Sequence, residues 1–189
     1  QTLSHPQFPS VYTAGEYRKT PYFVMEKMDG QTFEELIFQE GKTYSEGESL
    51  KLGVQLVILV QWIHENGFVH RDLRIPNILL DHGTLQIIDF GLACEMNATP
   101  ETIPGKQKDY MRDKSKLSDF YAIGHFLLFL LYSSYEPTMK KERSWEEELA
   151  IHHDTRMVIR RLLQIDSGFR DAEEILEELY RVIDTLQER

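Results

Sequence analysis

Apolar positions along the chain fall into distinct patterns, and each pattern predicts an element. Pro21 to Glu26 is a short aromatic and β-branched run after a polar turn, which predicts a strand; an earlier strand is expected over Ser10 to Ala14. Leu52, Leu56, Leu59, Val60 and Ile63 recur at helical spacing, so the stretch after Ser45 should form a long helix with one buried stripe. Ser45-Glu46-Gly47-Glu48 marks its start, because a serine cap and a glutamate three residues on satisfy each other's orphan amides. Asn66-Gly67 marks its end, where glycine accepts a left-handed stop. Thr32-Phe33-Glu34-Glu35 has the same capping spacing and should open a shorter helix.

Phe68-Val69-His70 is followed by Ile78-Leu79-Leu80, a turn through Asp81-His82-Gly83-Thr84, and Leu85 to Ile88; the last two runs predict a hairpin. Beyond Phe90-Gly91 the chain is polar, with Pro100, Pro104 and Gly105, and is expected to be loop-like to about Lys116. Phe120 to Tyr132 is apolar around most of its circumference and belongs at the centre of a fold. Trp145 to Ile151, Thr155 to Ile165 and Ala172 to Gln187 predict later helices. No internal repeat, low-complexity tract or interdomain linker is visible.

Composition narrows the class. With 189 residues and 41% hydrophobic content the chain builds one core. The single cysteine, Cys94, excludes an internal disulfide and a cysteine-rich zinc cage, which fits a reducing, cytoplasmic setting. The net charge of −10 argues against non-specific binding to nucleic acid or an anionic membrane, both of which need positive potential. Phe120 to Tyr132 is too short to cross a bilayer, and no signal peptide opens the chain. The first residue is Gln, so the natural protein is expected to extend upstream.

Two clusters carry chemistry. His70-Arg71-Asp72-Leu73-Arg74-Ile75-Pro76-Asn77 is followed by Asp89-Phe90-Gly91, with Asp89 twelve positions after Asn77. Either alone is a weak signal; together, a chance match is on the order of one in a million. Both resemble the catalytic loop and metal motif of the protein kinase family. The resemblance implies an α+β, protein-kinase-like fold: residues 1–27 a remnant of the amino-terminal lobe with late strands and hinge, residues 28–189 a mainly helical carboxy-terminal lobe. It implies ATP- and Mg2+-dependent phosphoryl transfer to a serine or threonine hydroxyl of a protein substrate. Such transfer asks the protein mainly to position groups and neutralise charge. Asp72 would then orient or accept the hydroxyl proton, Arg74 contact the transferred phosphate, and Asn77 and Asp89 hold metal through hard oxygen ligands.

The resemblance runs further in both directions. Leu3-Ser4-His5-Pro6 is similar to the segment leaving the small lobe's regulatory helix, and Tyr22 to Gly30 to the strand and hinge joining the lobes. Met25 would be the gatekeeper, backbone atoms of Glu26 and Met28 would face the adenine, and Leu79 would floor the base. Ser118 to Gly124 resembles the start of the buried central helix, with Asp119 binding backbone amides of the catalytic loop. Asp166 to Arg170 resembles the family's late structural arginine motif.

Several family features are absent. The glycine-rich loop, the phosphate-gripping strand lysine and its glutamate partner align before Gln1, and Lys19 and Lys27 are not expected to replace that lysine. The segment alone should therefore bind nucleotide poorly and be inactive. No Ala-Pro-Glu follows Asp89; Thr99-Pro100-Glu101 comes too soon, and Tyr110-Met111 is followed by Arg112-Asp113-Lys114, so Arg170 lacks its usual glutamate. Small atypical kinases of the RIO type share this economy but usually place glycine where Arg71 stands. By resemblance, Arg71 would bind a phosphate on the segment after Asp89, with Thr99, Thr102 and Tyr110 as candidate acceptors; the alternative is a surface salt bridge. Rival readings are a pseudokinase or binding scaffold, and a small-molecule kinase. His152-His153 are expected at the surface, His125 in the core, Cys94 as a packed hydrophobe, and Glu173, Glu174, Glu177 and Glu178 on an exposed helix face. Oligomeric state is left open.

Overall fold

A computed structural model describes residues 4–96, 114–136 and 143–188. The chain opens with an antiparallel hairpin, β1 (Val11–Tyr17) and β2 (Thr20–Met25), in which Tyr17 faces Thr20 and Val11 faces Met25. The turn residues Arg18 and Lys19 both take positive φ, 52° and 64°, the twist that a two-residue hairpin demands. Every residue of β2 is exposed. The strands fall close to the predicted runs, with β1 extending three residues past Ala14.

Thr32 and Glu35 form the expected reciprocal bonds: Thr32 N–H donates to Glu35 Oε2 at 2.8 Å and Glu35 N–H to Thr32 Oγ1 at 3.2 Å. The helix they open widens into a π turn over Glu35–Gln39, closed by Glu40 N–H on Glu35 O. Helix α1 (Glu46–Glu65) begins at Ser45 with both bonds of a capping box and stops before Gly67, whose φ is 84°. Its burial is wider than the predicted stripe. Leu50, Gly53, Val54 and Val57 are buried as well as Leu52, Leu56, Leu59, Val60 and Ile63, because α2 (Lys116–Tyr132) and α5 (Ala172–Gln187) pack on it from two sides.

Helix α2 is the centre of the core: Phe120, Ile123, Phe126, Leu127 and Leu130 are fully buried. It starts ahead of Phe120 because Ser115 Oγ accepts the Leu117 amide and caps it there. Gly124 lets the end of the helix over His153–Leu162 approach closely; a Cβ there would lie 2.9 Å from Leu163 Cδ2 and 3.1 Å from Leu162 Cβ. Helix α3 is only Trp145–Glu148, shorter than the predicted Trp145 to Ile151, since Leu149 turns extended and is buried. Helices α4 (His153–Leu162) and α5 complete the lobe, the latter with the predicted bounds.

Three short strand pairs attach to this core. β3 (Gln31–Thr32), β5 (Ile78–Asp81) and β6 (Thr84–Ile87) make one sheet in the order β3-β5-β6, and β4 (Phe68–Val69) pairs with β7 (Cys94–Glu95). His125 is not a core residue: it is exposed on α2 and stacks on Tyr121, ring centroids 4.7 Å apart. His152 is half-buried and caps α4, its Nδ1 accepting the Asp154 amide. Only Glu173 and Glu177 of the acidic run are exposed; Glu174 pairs with Arg161 and Glu178 with Arg181. Among the described residues no helix is long and apolar enough to cross a membrane.

Candidate active site

The loop between β4 and β5 is held from beneath by one carboxylate. Asp119, fully buried in the first turn of α2, accepts the backbone amides of His70 at 2.9 Å and Arg71 at 2.8 Å, as the resemblance implied. Its Oδ2 also meets His64 Nε2 at 2.8 Å, from the last turn of α1. Arg71 sits in the left-handed region at φ 66°, a conformation non-glycine residues hold only where surroundings impose it. Here the surroundings are two amides bound to a single carboxylate.

That kink delivers Asp72 to the next turn. Arg74 Nε donates to Asp72 Oδ1 at 2.6 Å and its second guanidinium nitrogen to Oδ2 at 2.9 Å, a two-pronged grip. Asn77, at the end of a single 3₁₀ turn through Pro76, spends both amide hydrogens on Asp72, one on its carbonyl and one on Oδ2, each at 2.9 Å. The Asn77 amide oxygen is thereby the acceptor atom left over. The hairpin then closes the circuit: Ile78 pairs with Ile87, and Ile88 N–H donates to Asn77 O at 2.9 Å. Asp89 follows directly, with φ 63° and its Oδ1 accepting the Gly91 amide at 3.1 Å.

Electrostatics place the same groups together. The bond to Asp72, then the charges of Asp72 and Asp89, raise the Arg74 pKa. Burial lowers that of His70, against the opposing pull of Asp119, Asp72 and Asp89. The His70 Nδ1 accepts the Asp72 amide at 3.3 Å, which leaves Nε2 buried with no partner among the described residues. Phe90 packs edge-on against the His70 ring, centroids 4.7 Å apart. Asp89 is exposed while Phe90 is half-buried beside it.

The donor set suits a hard divalent cation that retains water and takes its remaining ligands from phosphates. It offers one exposed carboxylate and one carboxamide oxygen. Among the described residues no cluster of three or more His, Cys, Asp or Glu builds a self-sufficient metal cage. Asp72, Arg74, Asn77 and Asp89 are therefore brought together by the fold. Leu79 is buried on β5, opposite Gln86 and beside Thr32 of β3. Met25 ends the exposed hairpin, Glu26 bonds back to Ser10 through its amide at 2.8 Å, and Met28 is half-buried. Arg170 is largely exposed and pairs with its neighbour Asp171, while Arg160 takes both oxygens of Asp166. Thr99, Thr102 and Tyr110 lie outside the described residues. Sequence reasoning missed His64, for which a histidine at a helix end carries no distinguishing signal.

A loop seated on the central helix, a carboxylate gripped by arginine and asparagine, and a second carboxylate delivered by a hairpin define a phosphotransferase site of the kinase type. The family model described as Protein kinase domain matches residues 1–189, and the chain belongs to that family. It is 34% identical over 186 residues to the "Probable serine/threonine-protein kinase YbdM" of Bacillus subtilis, covering 98% of this chain and 70% of the relative. It is likewise 34% identical over 141 residues to the "Serine/threonine-protein kinase PrkC" of the same organism, and 30% identical over 140 residues to the "Probable serine/threonine-protein kinase PknB" of Lactococcus lactis. The chain spans 22% of the length of each of those two. It is a kinase-like phosphotransferase.

Proposed function

We propose that the protein transfers a phosphoryl group from Mg2+-bound ATP to a serine or threonine hydroxyl of a protein substrate. The mutual bonding of Asp72, Arg74 and Asn77, with Asn77 tied to the strand that delivers Asp89, carries this reading. Bound Mg·ATP supplies the transferable phosphoryl group and the charge that offsets its oxygens. Asn77 and Asp89 would hold the cation, and Leu79, with the backbone of Glu26 and Met28 and the side chain of Met25, would hold the base. Asp72 takes up or orients the proton of the incoming hydroxyl, a role its acceptor-only carboxylate can fill while Asn77 fixes its plane. Arg74, a guanidinium protonated at any working pH, holds positive charge beside the reacting oxygen.

Lys19 and Lys27 are exposed, in the hairpin turn and the connection after β2, so neither serves as a buried phosphate clamp. On this reading the chain by itself binds nucleotide weakly. A second reading, a non-catalytic scaffold, draws on the fact that Arg74 occupies both Asp72 oxygens.

Thermal stability of the full-length protein with and without MgATP separates the two. The active kinase gains stability through ligand linkage, Asp89→Ala loses the gain, and phosphoamino-acid analysis of a phosphorylated protein acceptor yields phosphoserine or phosphothreonine. A full-length protein that shows no shift at millimolar MgATP is a scaffold.

A further inference from the structure

Asp89 occupies left-handed backbone that a non-glycine residue keeps only when its neighbours over-determine it. Those neighbours include a segment far away in sequence. Gln7 O accepts the amide of Ile87 at 3.0 Å, and Gln7 Nε2 donates to Leu85 O at 2.5 Å, so Gln7 is laced to the strand just before Asp89. Phe8 is 3% exposed and packs edge-on against Phe90, the residue just after Asp89, with centroids 5.0 Å apart. The other side of Phe8 meets Trp62 of α1 at 5.5 Å, and His5 closes on both rings at 4.9 and 5.2 Å. Phe90 is held in turn against His70. One four-residue segment, His5–Phe8, thus grips the chain on both sides of Asp89, and its own tight turn is closed by Phe8 N–H on His5 O at 3.0 Å.

We propose that Gln7 and Phe8 are positioning residues for Asp89: they hold residues 87–90 in the backbone conformation that presents the Asp89 carboxylate to a divalent cation. The proposal rests on Asp89 as the metal-holding group. Phe8 has no ligand atom, and the bonds of Gln7 run to Leu85 and Ile87, ahead of Asp89, so both residues act through Ile87 and Phe90. Because Phe8 also lies on Trp62, ordering of Phe90 by metal–nucleotide binding is transmitted to an indole. The second tryptophan, Trp145, belongs to α3, outside this stack.

The test uses the protein, with Mn2+ and ADP as the probe, bound Mn2+ counted by electron paramagnetic resonance, and Trp62 fluorescence followed in a background where every other tryptophan, Trp145 included, is replaced by Phe. Phe8→Leu, which keeps most of the volume and loses the ring, should weaken Mn2+ binding roughly tenfold, as loss of a supporting residue around a metal ligand does. It should also abolish the Trp62 response. Gln7→Ala leaves the aromatic stack intact and should weaken binding about fivefold, the worth of one lost hydrogen bond. Phe169→Leu, at another buried phenylalanine packed on Arg161, should leave Mn2+ binding unchanged. Wild-type binding that Asp89→Ala removes but Phe8→Leu and Gln7→Ala leave intact overturns this inference alone. So does equal weakening by Phe169→Leu. Wild-type protein that binds no Mn2+ with ADP overturns the assignment of Asp89 itself.

Discussion

Arg74 grips both carboxylate oxygens of Asp72, through Nε at 2.6 Å and a terminal nitrogen at 2.9 Å. A lysine at this position offers a point charge and cannot make the paired contact. The planar fork therefore orients the Asp72 carboxylate as well as neutralising it.

Replacing Arg74 should separate these roles. Arg74→Lys retains charge without the fork and should lower kcat of the full-length enzyme by about tenfold, whereas Arg74→Ala should lower it by roughly a hundredfold or more, with Asp72→Asn lower still. Steady-state kinetics against a protein acceptor provide the comparison. Equal rates for the lysine variant and wild type would remove any role for the two-pronged geometry.

Asp119 is a buried charge satisfied by three donors: the amides of His70 and Arg71 and the His64 ring. Asp119→Ala strands all three in the core and should destabilise the protein by about 3–5 kcal/mol. His64→Ala removes one donor and opens a small cavity, at a cost of about 1–3 kcal/mol. Urea denaturation measures both; Asp119→Ala should have the lower midpoint with an unchanged slope.

Ser45 and Glu48 close the start of α1 with reciprocal bonds, Glu48 Oε2 accepting the Ser45 amide at 2.8 Å and Ser45 Oγ accepting the Glu48 amide at 3.3 Å. Ser45→Ala should cost about 1 kcal/mol, and Ser45→Gly only a few tenths. Differential scanning calorimetry should order the three proteins wild type, glycine, alanine.

Stability should also fall with mild acid. Burial is the largest influence on His70 and lowers its pKa below the ordinary 6.5, so near that pH the unfolded chain binds a proton that the folded chain refuses. The contribution is complete above pH 6.5 and is lost progressively as pH drops from there toward the lowered folded value. A second loss follows at lower pH, where Glu174 and Asp154, held below their usual values by Arg161 and Arg181, take up protons. Denaturation midpoints between pH 8 and pH 3 should show both stages. His5 and His125, also lowered by partial burial, contribute in the same window, so His70→Asn should shrink the first stage without abolishing it and leave the second unchanged.

The candidate site was legible from the chain because each motif is local. Asp72 and Asn77 lie in one short loop whose 3₁₀ turn is set by Pro76, and a hairpin of predictable length returns Asp89 to Asn77. Helix starts at Ser45 and Thr32 were equally readable, since a capping box is closed by residues three apart. Helix α3 was overextended because its sequence shows helical spacing while Leu149 is drawn away into the core. His125 was misplaced because an apolar run does not reveal which position of its helix escapes contact.

Sequence by itself determined the candidate site residues, the helix boundaries set by caps, and the family. Only the tertiary structure decided that His64 shares Asp119 with the loop and that Phe8 seats Phe90. The division has a physical cause. Local bonds span a few residues and leave a spacing in the sequence, whereas Phe8 meets Phe90 and His64 meets Asp119 across separations that no periodicity records. His64 reaches Asp119 because helices α1 and α2 pack on each other, and Phe8 reaches Phe90 because its segment lies between Trp62 of α1 and the end of the hairpin.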